Sequence, residues 1–81
     1  MKHIKLDGKD IKKEKHDYLI RKLKLPTYYG RNLDALYDCL TEIGEETEIE
    51  IINSEYVSQD LIDTFFDASL ENYFLTFLCD D

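Results

Sequence analysis

Residues 25–44 read LPTYYGRNLDALYDCLTEIG and contain a loop followed by a complete helix pattern. Pro26 ends any helix before it, because it has no backbone N–H to donate and disfavours helical backbone at the preceding residue. Asn32 is a favoured N-cap residue, so a helix is expected to begin at Leu33. The apolar side chains of this helix recur at helical spacing, namely Leu33, Leu36, Tyr37, Leu40 and Ile43. Gly44 is expected to end the helix.

Further strand and helix patterns surround this segment on both sides. Residues 3–6 form a short run that precedes the turn dipeptide DG and predicts a strand, and residues 12–25 show helical spacing. Residues 48–53 alternate apolar and polar side chains as a strand does, and residues 54–69 predict another helix. Residues 73–79 are almost continuously apolar, which is typical of a central strand buried on both faces of a parallel sheet. The order β-α-α-β-α-β predicts an α/β fold with a small three-stranded parallel sheet packed against helices.

The composition limits the size of the protein and the class of its partners. The chain has 81 residues, which predicts a single domain over residues 1–81, and its 43% of hydrophobic residues are too many for a disordered segment. Ten basic and eighteen acidic residues give a net charge of −8, which repels nucleic acid and anionic membranes and attracts basic partners. There is no signal-peptide pattern and no apolar stretch of roughly 20 residues. We therefore expect a cytoplasmic protein with no nucleic-acid or membrane partner.

Residue types that usually carry catalysis or bind metals are few and scattered. Cys39 and Cys79 form no Cys-x-x-Cys pair, and we expect both to be free thiols buried as small apolar residues. His3 and His16 lie outside any cluster with metal-ligand spacing and are expected at the surface. The chain contains no phosphate-binding glycine loop, no serine elbow and no paired-histidine motif. We therefore predict that the protein is not an enzyme and binds no cofactor or metal.

A polar stripe on the predicted helix offers a binding surface. The stripe consists of Asp34, Asp38 and Thr41, at positions i, i+4 and i+7 beside Tyr37. Like charges one turn apart repel each other. Asp38 also lies beyond the first turn of the helix, so the helix dipole no longer stabilises its negative charge. One helix supplies too few oxygen ligands for a metal ion. Tyr28 and Tyr29 in the loop before the helix add aromatic contact area, so the surface suits a cationic partner. Periodicity alone leaves open the alternative of a merely solvated helix face.

The segment from Leu25 to Thr41 resembles the central part of the barstar family, which are intracellular inhibitors of barnase-like ribonucleases. The family pattern there is Leu-Pro-x-Tyr-Tyr-Gly-x-Asn-Leu-Asp-Ala-Leu-aromatic-Asp-Cys-Leu-Thr, and the chain follows it without a gap. Weaker similarity extends to the dipeptide Asp7-Gly8, to residues 49–51 and to residues 67–78. The resemblance implies a three-stranded parallel sheet packed with helices and an inhibitory function.

The resemblance also implies which residues contact the partner. These are Tyr28, Gly30, Asn32, Leu33, Asp34, Tyr37, Asp38, Thr41 and Asp67. Tyr28 corresponds to the tyrosine that packs on the catalytic histidine of the nuclease. Asp38 corresponds to the aspartate that takes the place of a substrate phosphate among the cations of the active site. Asp34 and Asp67 correspond to further acidic contacts.

Three features depart from the family pattern. Tyr37 replaces the usual tryptophan, Arg31 places a positive charge beside the expected interface, and the segment between Tyr56 and Leu61 is shorter than in the family. The sequence predicts an inhibitor of a basic, barnase-like ribonuclease, which binds its target 1:1 and is a monomer when free. Two alternatives remain at this stage: an immunity or antitoxin protein for a different basic toxin nuclease, and a protein-interaction module that inhibits nothing.

Overall fold

The computed structural model describes residues 1–80, which form a three-stranded parallel sheet and four α-helices. In chain order the elements are β1 (Lys2–Asp7), α1 (Gly8–Glu14), α2 (His16–Leu23), α3 (Leu33–Thr41), β2 (Thr47–Ile52), a 3-10 turn (Ser54–Tyr56), α4 (Gln59–Glu71) and β3 (Leu75–Cys79). This arrangement confirms the predicted α/β class and the three-stranded parallel sheet. Within residues 1–80, every helix is too short or too polar to cross a membrane.

The sheet has the strand order β1-β2-β3, and both strand pairs are parallel. The register aligns Leu6 with Ile51, and Ile49 with Phe77. Because successive side chains of a strand point to opposite faces, these four residues share one face, and three of them are fully buried. The opposite face carries exposed or half-buried side chains: His3, Lys5, Glu48, Glu50, Thr76 and Leu78. One apolar face of the sheet therefore forms the core.

Strand β3 lies at the edge of the sheet, so the prediction of a central strand buried on both faces is wrong. Leu75 is buried, but Leu78 is 45% exposed. Cys79 is also exposed, which corrects the expectation that both cysteines are buried. The central position belongs to β2, whose alternation of isoleucine and glutamate suits one buried face and one polar face. A continuous apolar run does not by itself identify a central strand.

The core lies between the sheet and the helices. Phe65 of α4 stacks on Phe77 of β3 with 5.3 Å between the ring centroids. Leu36 and Leu40 of α3 and Leu19 of α2 are fully buried. Burial of each such side chain stabilises the fold by about 1.5–3 kcal/mol. Helix α3 packs against α4, so the helix with the acidic stripe rests on the core and on a neighbouring helix.

The single helix predicted over residues 12–25 is two helices, α1 and α2. The chain breaks at Lys15, which has a φ of 54° and ends α1. Helix α2 ends at Leu23, and Lys24, also at φ 54°, caps it before Pro26 is reached. Residues other than glycine rarely occupy this left-handed region, so the pattern of apolar and charged residues does not predict either break.

Helix α1 begins earlier than predicted, at Gly8, where the chain passes close to the residue that follows β2. The Asp7 carboxylate caps it by accepting a hydrogen bond from the Lys9 N–H at 2.9 Å. A Cβ added at Gly8 would lie 2.1 Å from the Asn53 carbonyl oxygen. Only glycine permits this close approach of two backbone segments that are far apart in sequence.

Two other predicted helix boundaries also shift. The predicted helix 54–69 is divided into a 3-10 turn and α4, with Val57 extended between them. Ser58 caps α4, since its hydroxyl accepts a hydrogen bond from the Leu61 N–H at 3.3 Å. Helix α3 ends at Thr41, before Ile43, and Gly44 has no positive φ that would make it the terminating residue.

Candidate functional site

The two tyrosines of the loop between α2 and α3 point in opposite directions. Tyr29 is buried, and its hydroxyl oxygen lies 2.7 Å from Nδ1 of His16 at the start of α2. Its backbone N–H donates to the Pro26 carbonyl at 3.0 Å, which closes a turn. Tyr28 is 81% exposed. Tyr29 therefore anchors the loop, and Tyr28 is presented to solvent.

The Tyr29–His16 contact joins two neutral groups at neutral pH. Burial raises the pKa of the Tyr29 hydroxyl to about 12, with a further contribution from Cys39. Burial lowers the pKa of the His16 imidazole, and the nearby Arg31 charge lowers it further. A hydrogen bond between neutral partners holds the loop without an ionic charge at this position. His16 is half-buried in this way, which corrects its expected surface position.

Asn32 organises the start of α3, as predicted. Its Oδ1 accepts a hydrogen bond from the Ala35 N–H at 2.8 Å, and its Nδ2 donates to the Gly30 carbonyl at 3.2 Å. A Cβ at Gly30 would lie 3.3 Å from this Nδ2 and 3.4 Å from Ala35 Cβ, so the position favours a small residue. Gly30 has no positive φ, whereas the next residue, Arg31, has a φ of 54°.

Arg31, which departs from the family pattern, pairs with an acidic residue of the chain itself. Its guanidinium contacts the Asp17 carboxylate on α2. Both side chains are largely exposed. The pair offsets the positive charge that Arg31 would otherwise add beside α3.

Helix α3 divides into a buried side and an acidic side. Leu36 and Leu40 are buried in the core, whereas Asp34 and Asp38 are exposed. Within residues 1–80, neither carboxylate takes part in an ion pair or a side-chain hydrogen bond. Leu33, Tyr37 and Thr41 are half-buried along the boundary between the two sides. The Thr41 hydroxyl donates to the Asp38 carbonyl at 3.0 Å, so its hydrogen-bond acceptor lies within the same helix.

Helix α4 brings two more carboxylates to this side of the molecule. Burial raises the pKa of the Tyr37 hydroxyl, and the charges of Glu71, Asp67 and Asp38 raise it further. Tyr37 thus lies among acidic groups from both helices. Asp67 was predicted from the resemblance, but Glu71 was not. Its position one turn after Asp67 on the same helix is the sequence signal that could have identified it.

A buried asparagine holds the far end of α3 in place. The Asn72 side chain donates from Nδ2 to the carbonyls of Leu40 and Ile43 at 2.9 and 3.0 Å. Its Oδ1 accepts a hydrogen bond from the Phe74 N–H at 3.0 Å. These bonds give the Ile43 carbonyl a donor and add a second donor to the Leu40 carbonyl, which also accepts from the Ile43 N–H at 3.4 Å. They fix α3 to the turn between α4 and β3.

The structure thus brings the predicted partner-binding residues of α3 and its preceding loop into one region, with Asp67 beside them on α4. We call this region the acidic surface; its residues are Tyr28, Gly30, Asn32, Leu33, Asp34, Tyr37, Asp38, Thr41 and Asp67. Among residues 1–80, no three His, Cys, Asp or Glu side chains are arranged to hold a metal ion. The surface combines exposed carboxylates, an exposed tyrosine and a rigid helix, which suits the binding of a cationic protein surface.

Comparison with known proteins agrees with this geometry. The chain is 56% identical over 43 residues to a protein of Bacillus subtilis (strain 168) named "Putative ribonuclease inhibitor YrdF". The match covers 51% of this chain and 47% of that protein, so the chain spans about half the length of the curated relative it matches. The family model described as Barstar (barnase inhibitor) matches residues 1–73. By this match over most of its length, the chain belongs to the barstar family of ribonuclease inhibitors.

Proposed function

We propose that the chain inhibits a basic, barnase-like ribonuclease by covering its active site with the acidic surface. The observation that carries this proposal is the exposed, unpaired Asp38 carboxylate on a helix that is fixed to the core. A ribonuclease holds a polyanion, so its cleft is lined with cations. A carboxylate on a rigid helix can occupy the position of a substrate phosphate and offers no bond for the enzyme to cleave.

Each part of the acidic surface has a separate role in this mechanism. Asp38 enters the cationic site and accepts charge-assisted hydrogen bonds there. Tyr28, whose side chain is largely exposed, stacks on the catalytic histidine at the edge of the site. Asp34 and Asp67 pair with cations around the cleft. Gly30, Asn32, Leu33, Tyr37 and Thr41 supply the remaining contact area.

The rigidity of the surface supports tight binding. Asn32 fixes the start of α3, Asn72 fixes its end, and the Tyr29–His16 hydrogen bond anchors the loop that carries Tyr28. A surface that is ordered before binding loses little conformational entropy on association. On this proposal the chain acts as one domain inside the cell, forms a 1:1 complex and performs no catalysis.

Inhibition assays with purified protein test the proposal. The chain is titrated into a panel of basic ribonucleases that includes barnase-like enzymes, and hydrolysis of an RNA substrate is followed. We expect activity to fall to zero at one equivalent for at least one of them. The variant Asp34→Asn/Asp38→Asn should inhibit far less than Glu46→Gln/Glu55→Gln, which removes the same charge from exposed positions elsewhere.

Other outcomes would contradict the proposal. If every ribonuclease remains fully active at excess protein, the inhibitory function is wrong. If a pull-down with the chain as bait recovers a basic deoxyribonuclease, the chain is an immunity protein for a different toxin class. Recovery of partners without nuclease activity would favour the non-inhibitory interaction module.

A further inference from the structure

The charges of the chain are strongly separated along its length. All ten basic residues lie within residues 1–31, which also contain four acidic residues and carry a net charge of +6. Residues 32–81 contain fourteen acidic residues and no basic one, a net charge of −14. The first segment forms β1, α1, α2 and part of the following loop. The net charge of −8 is therefore the sum of a basic segment and a strongly acidic one, and the carboxylates of the acidic surface all lie in the acidic segment.

An apolar groove opens on this basic part. It encloses about 300 Å³ between α1, α2 and the start of α4. Its floor consists of buried side chains: Ile11, Leu19, Val57 and Leu61. Lys12, Lys15 and His16 line its rim, and the Lys12 ammonium lies 5.7 Å from the centre of the Tyr56 ring, which also lines the groove.

The lysines at the rim are available to an external partner. Within residues 1–80, neither Lys12 nor Lys15 lies within ion-pair distance of a carboxylate. Glu14, which lies between them in sequence, binds Arg21 instead, with two contacts of 3.0 and 3.2 Å. The groove therefore favours an occupant that combines apolar side chains with negative charges.

Helix α4 presents such a combination on its outer side. Phe66 and Leu70, one turn apart, are 52% and 69% exposed. Asp63 and Asp67, also one turn apart, are exposed next to them. We call these four residues the α4 ridge: two apolar side chains beside two carboxylates on one helix of 13 residues.

We propose that the α4 ridge of one copy of this chain docks in the basic groove of a second copy. Phe66 and Leu70 would cover the apolar floor, and Asp63 and Asp67 would pair with Lys12 and Lys15. The two surfaces are different, so the contact is head to tail, and each dimer retains a free groove and a free ridge. At physiological salt the Debye length is about 8 Å, so the overall repulsion is screened while charges in direct contact still attract.

The contact between the α4 ridge and the groove is expected to bury a small area and therefore to be weak. One helix face in one groove falls at or below the roughly 1,200 Å² of total buried surface typical of weak complexes. The chain is then a monomer in dilute solution, as expected above, and associates only when concentrated. This inference does not depend on the proposed inhibition of a ribonuclease.

Sedimentation velocity of the full chain between about 10 µM and about 1 mM tests the proposal. We expect the average mass of the wild type to at least double across this range at about 0.15 M salt, where the overall repulsion is screened. The groove variant Lys12→Glu/Lys15→Glu and the ridge variant Phe66→Ser/Leu70→Ser should each remain monomeric. An equimolar mixture of the two should form a 1:1 dimer that grows no further, because one intact groove then meets one intact ridge.

Two controls separate this contact from other modes of association. Lys13→Glu/Lys22→Glu changes the net charge equally at exposed positions outside the groove and should associate like the wild type. Leu78→Ser removes an exposed leucine on β3 and should also associate normally. Circular dichroism establishes that each variant is folded.

Several results would overturn the proposal. A wild-type chain that stays monomeric at the highest concentration has no such contact. Association that survives in both the groove and the ridge variant, or that Leu78→Ser alone abolishes, uses another surface. Failure of the mixed variants to pair would exclude a head-to-tail contact. Ribonuclease inhibition by the groove variant, measured in parallel, distinguishes these failures from a failure of the proposed function.

Discussion

Single residues of the acidic surface satisfy conflicting requirements of stability and binding. Asp34 and Asp38 lie one turn apart on α3, without an ion pair among residues 1–80, in a segment that contains no basic side chain. The repulsion raises the electrostatic free energy of the folded chain, and Asp38, which lies beyond the first turn, gains nothing from the helix dipole in return. A carboxylate that destabilises the fold is better explained by a role in binding than by solvation of a helix face.

Replacement of Asp38 by alanine should separate these two requirements. We expect the free energy of unfolding to rise by about 0.5 kcal/mol, because repulsion is removed and helix propensity improves. Binding to the ribonuclease should weaken by about 2–5 kcal/mol, which is the general range for removal of one partner of a buried charge pair. Measurements on the barnase–barstar complex are among those that define this range. Urea denaturation and the inhibition constant measure the two effects.

The control for this substitution is Glu46→Ala, which removes one negative charge at an exposed position outside the acidic surface. It should leave the inhibition constant almost unchanged. If Asp38→Ala inhibits as well as the wild type, Asp38 does not occupy the cationic site.

The neighbouring tyrosines should respond to mutation in opposite ways. Tyr28→Ala should change the free energy of unfolding by less than about 0.5 kcal/mol, because the side chain is largely exposed, and should weaken inhibition by about 2 kcal/mol. Tyr29→Ala removes a buried ring and should destabilise the fold by about 3–5 kcal/mol. Thermal unfolding and inhibition measured on both variants test this contrast. Equal effects on stability would show that the loop is not anchored by Tyr29.

At the scale of secondary-structure elements, two features determine how rigid the acidic surface is. One is the set of hydrogen bonds at the two ends of α3, and the other is the contact between α2 and the loop that follows it. Helix α3 lacks a glycine cap, and the carbonyls of Leu40 and Ile43 are satisfied by Asn72 from beyond α4. The loop is joined to α2 by the hydrogen bond between Tyr29 and His16. The hydrogen bonds of Asn72 and the Tyr29–His16 hydrogen bond both connect residues that are not neighbours in sequence.

Asn72→Asp should destabilise the fold by about 1–3 kcal/mol or more, because the Ile43 carbonyl loses its donor, the Leu40 carbonyl keeps only a backbone donor, and a buried carboxylate replaces an amide. The aspartate retains an oxygen for the Phe74 N–H, so this hydrogen bond is kept while the donor is lost and a charge is added. Gln59→Glu is the same chemical change at an exposed position, where the amide donates only to the Asp63 carboxylate at 2.8 Å, and it should cost less than about 0.5 kcal/mol. Urea denaturation of the two variants gives the comparison, and equal stability would contradict the role given to Asn72.

The joint between α2 and the loop should make stability depend on pH. The pKa of His16 is lowered in the fold, whereas in the unfolded chain it lies near 6.5. Below about pH 6.5 the unfolded chain binds more protons than the folded one, so the free energy of unfolding should fall until the pH passes below the lowered pKa. Above pH 6.5 this residue should contribute no dependence on pH.

Denaturation at about pH 7.5 and about pH 5.5 measures this effect. The decrease should be smaller in His16→Gln and should persist in His3→Gln, which changes a largely exposed histidine. Asp7, Glu14 and Asp80 also have lowered pKa values, but their ordinary values of 3.8–4.5 place their contribution at lower pH. An unchanged dependence on pH in His16→Gln would exclude His16 as its source.

At the scale of the whole molecule, the separation of charge determines how partners approach. All the carboxylates of the acidic surface, namely Asp34, Asp38 and Asp67, belong to the segment of net charge −14. A cationic nuclease is therefore attracted to that part of the molecule. Charge distribution of this kind accelerates association more than it strengthens the final complex.

The association rate with the ribonuclease should be high at low salt and should fall markedly as salt rises through about 0.1 M, where the Debye length is roughly 10 Å. The dissociation rate should change much less. Stopped-flow or surface binding measurements over a salt series give both rates. An association rate that does not depend on salt would show that the charge separation plays no part in the encounter.

Features that depend on a few neighbouring residues follow from the sequence. The Asn32 cap, the buried positions Leu36 and Leu40 and the alternation in β2 were all predicted correctly. Each depends on hydrogen bonds or side-chain periodicity within about one or two turns of the chain. The gapless match from Leu25 to Thr41 also predicted the family, because it contains a loop, a cap and both sides of a helix.

Features that depend on contacts between distant segments required the tertiary structure. The edge position of β3, the break at Lys15 and the burial of Tyr29 in place of Tyr28 are determined by neighbours from other elements, as is the position of Glu71 beside Tyr37. Apolar runs and adjacent tyrosines are compatible with several such arrangements. Only the packing of α2, α3 and α4 on one face of the sheet selects among them, because burial and hydrogen bonding between distant residues outweigh local preference.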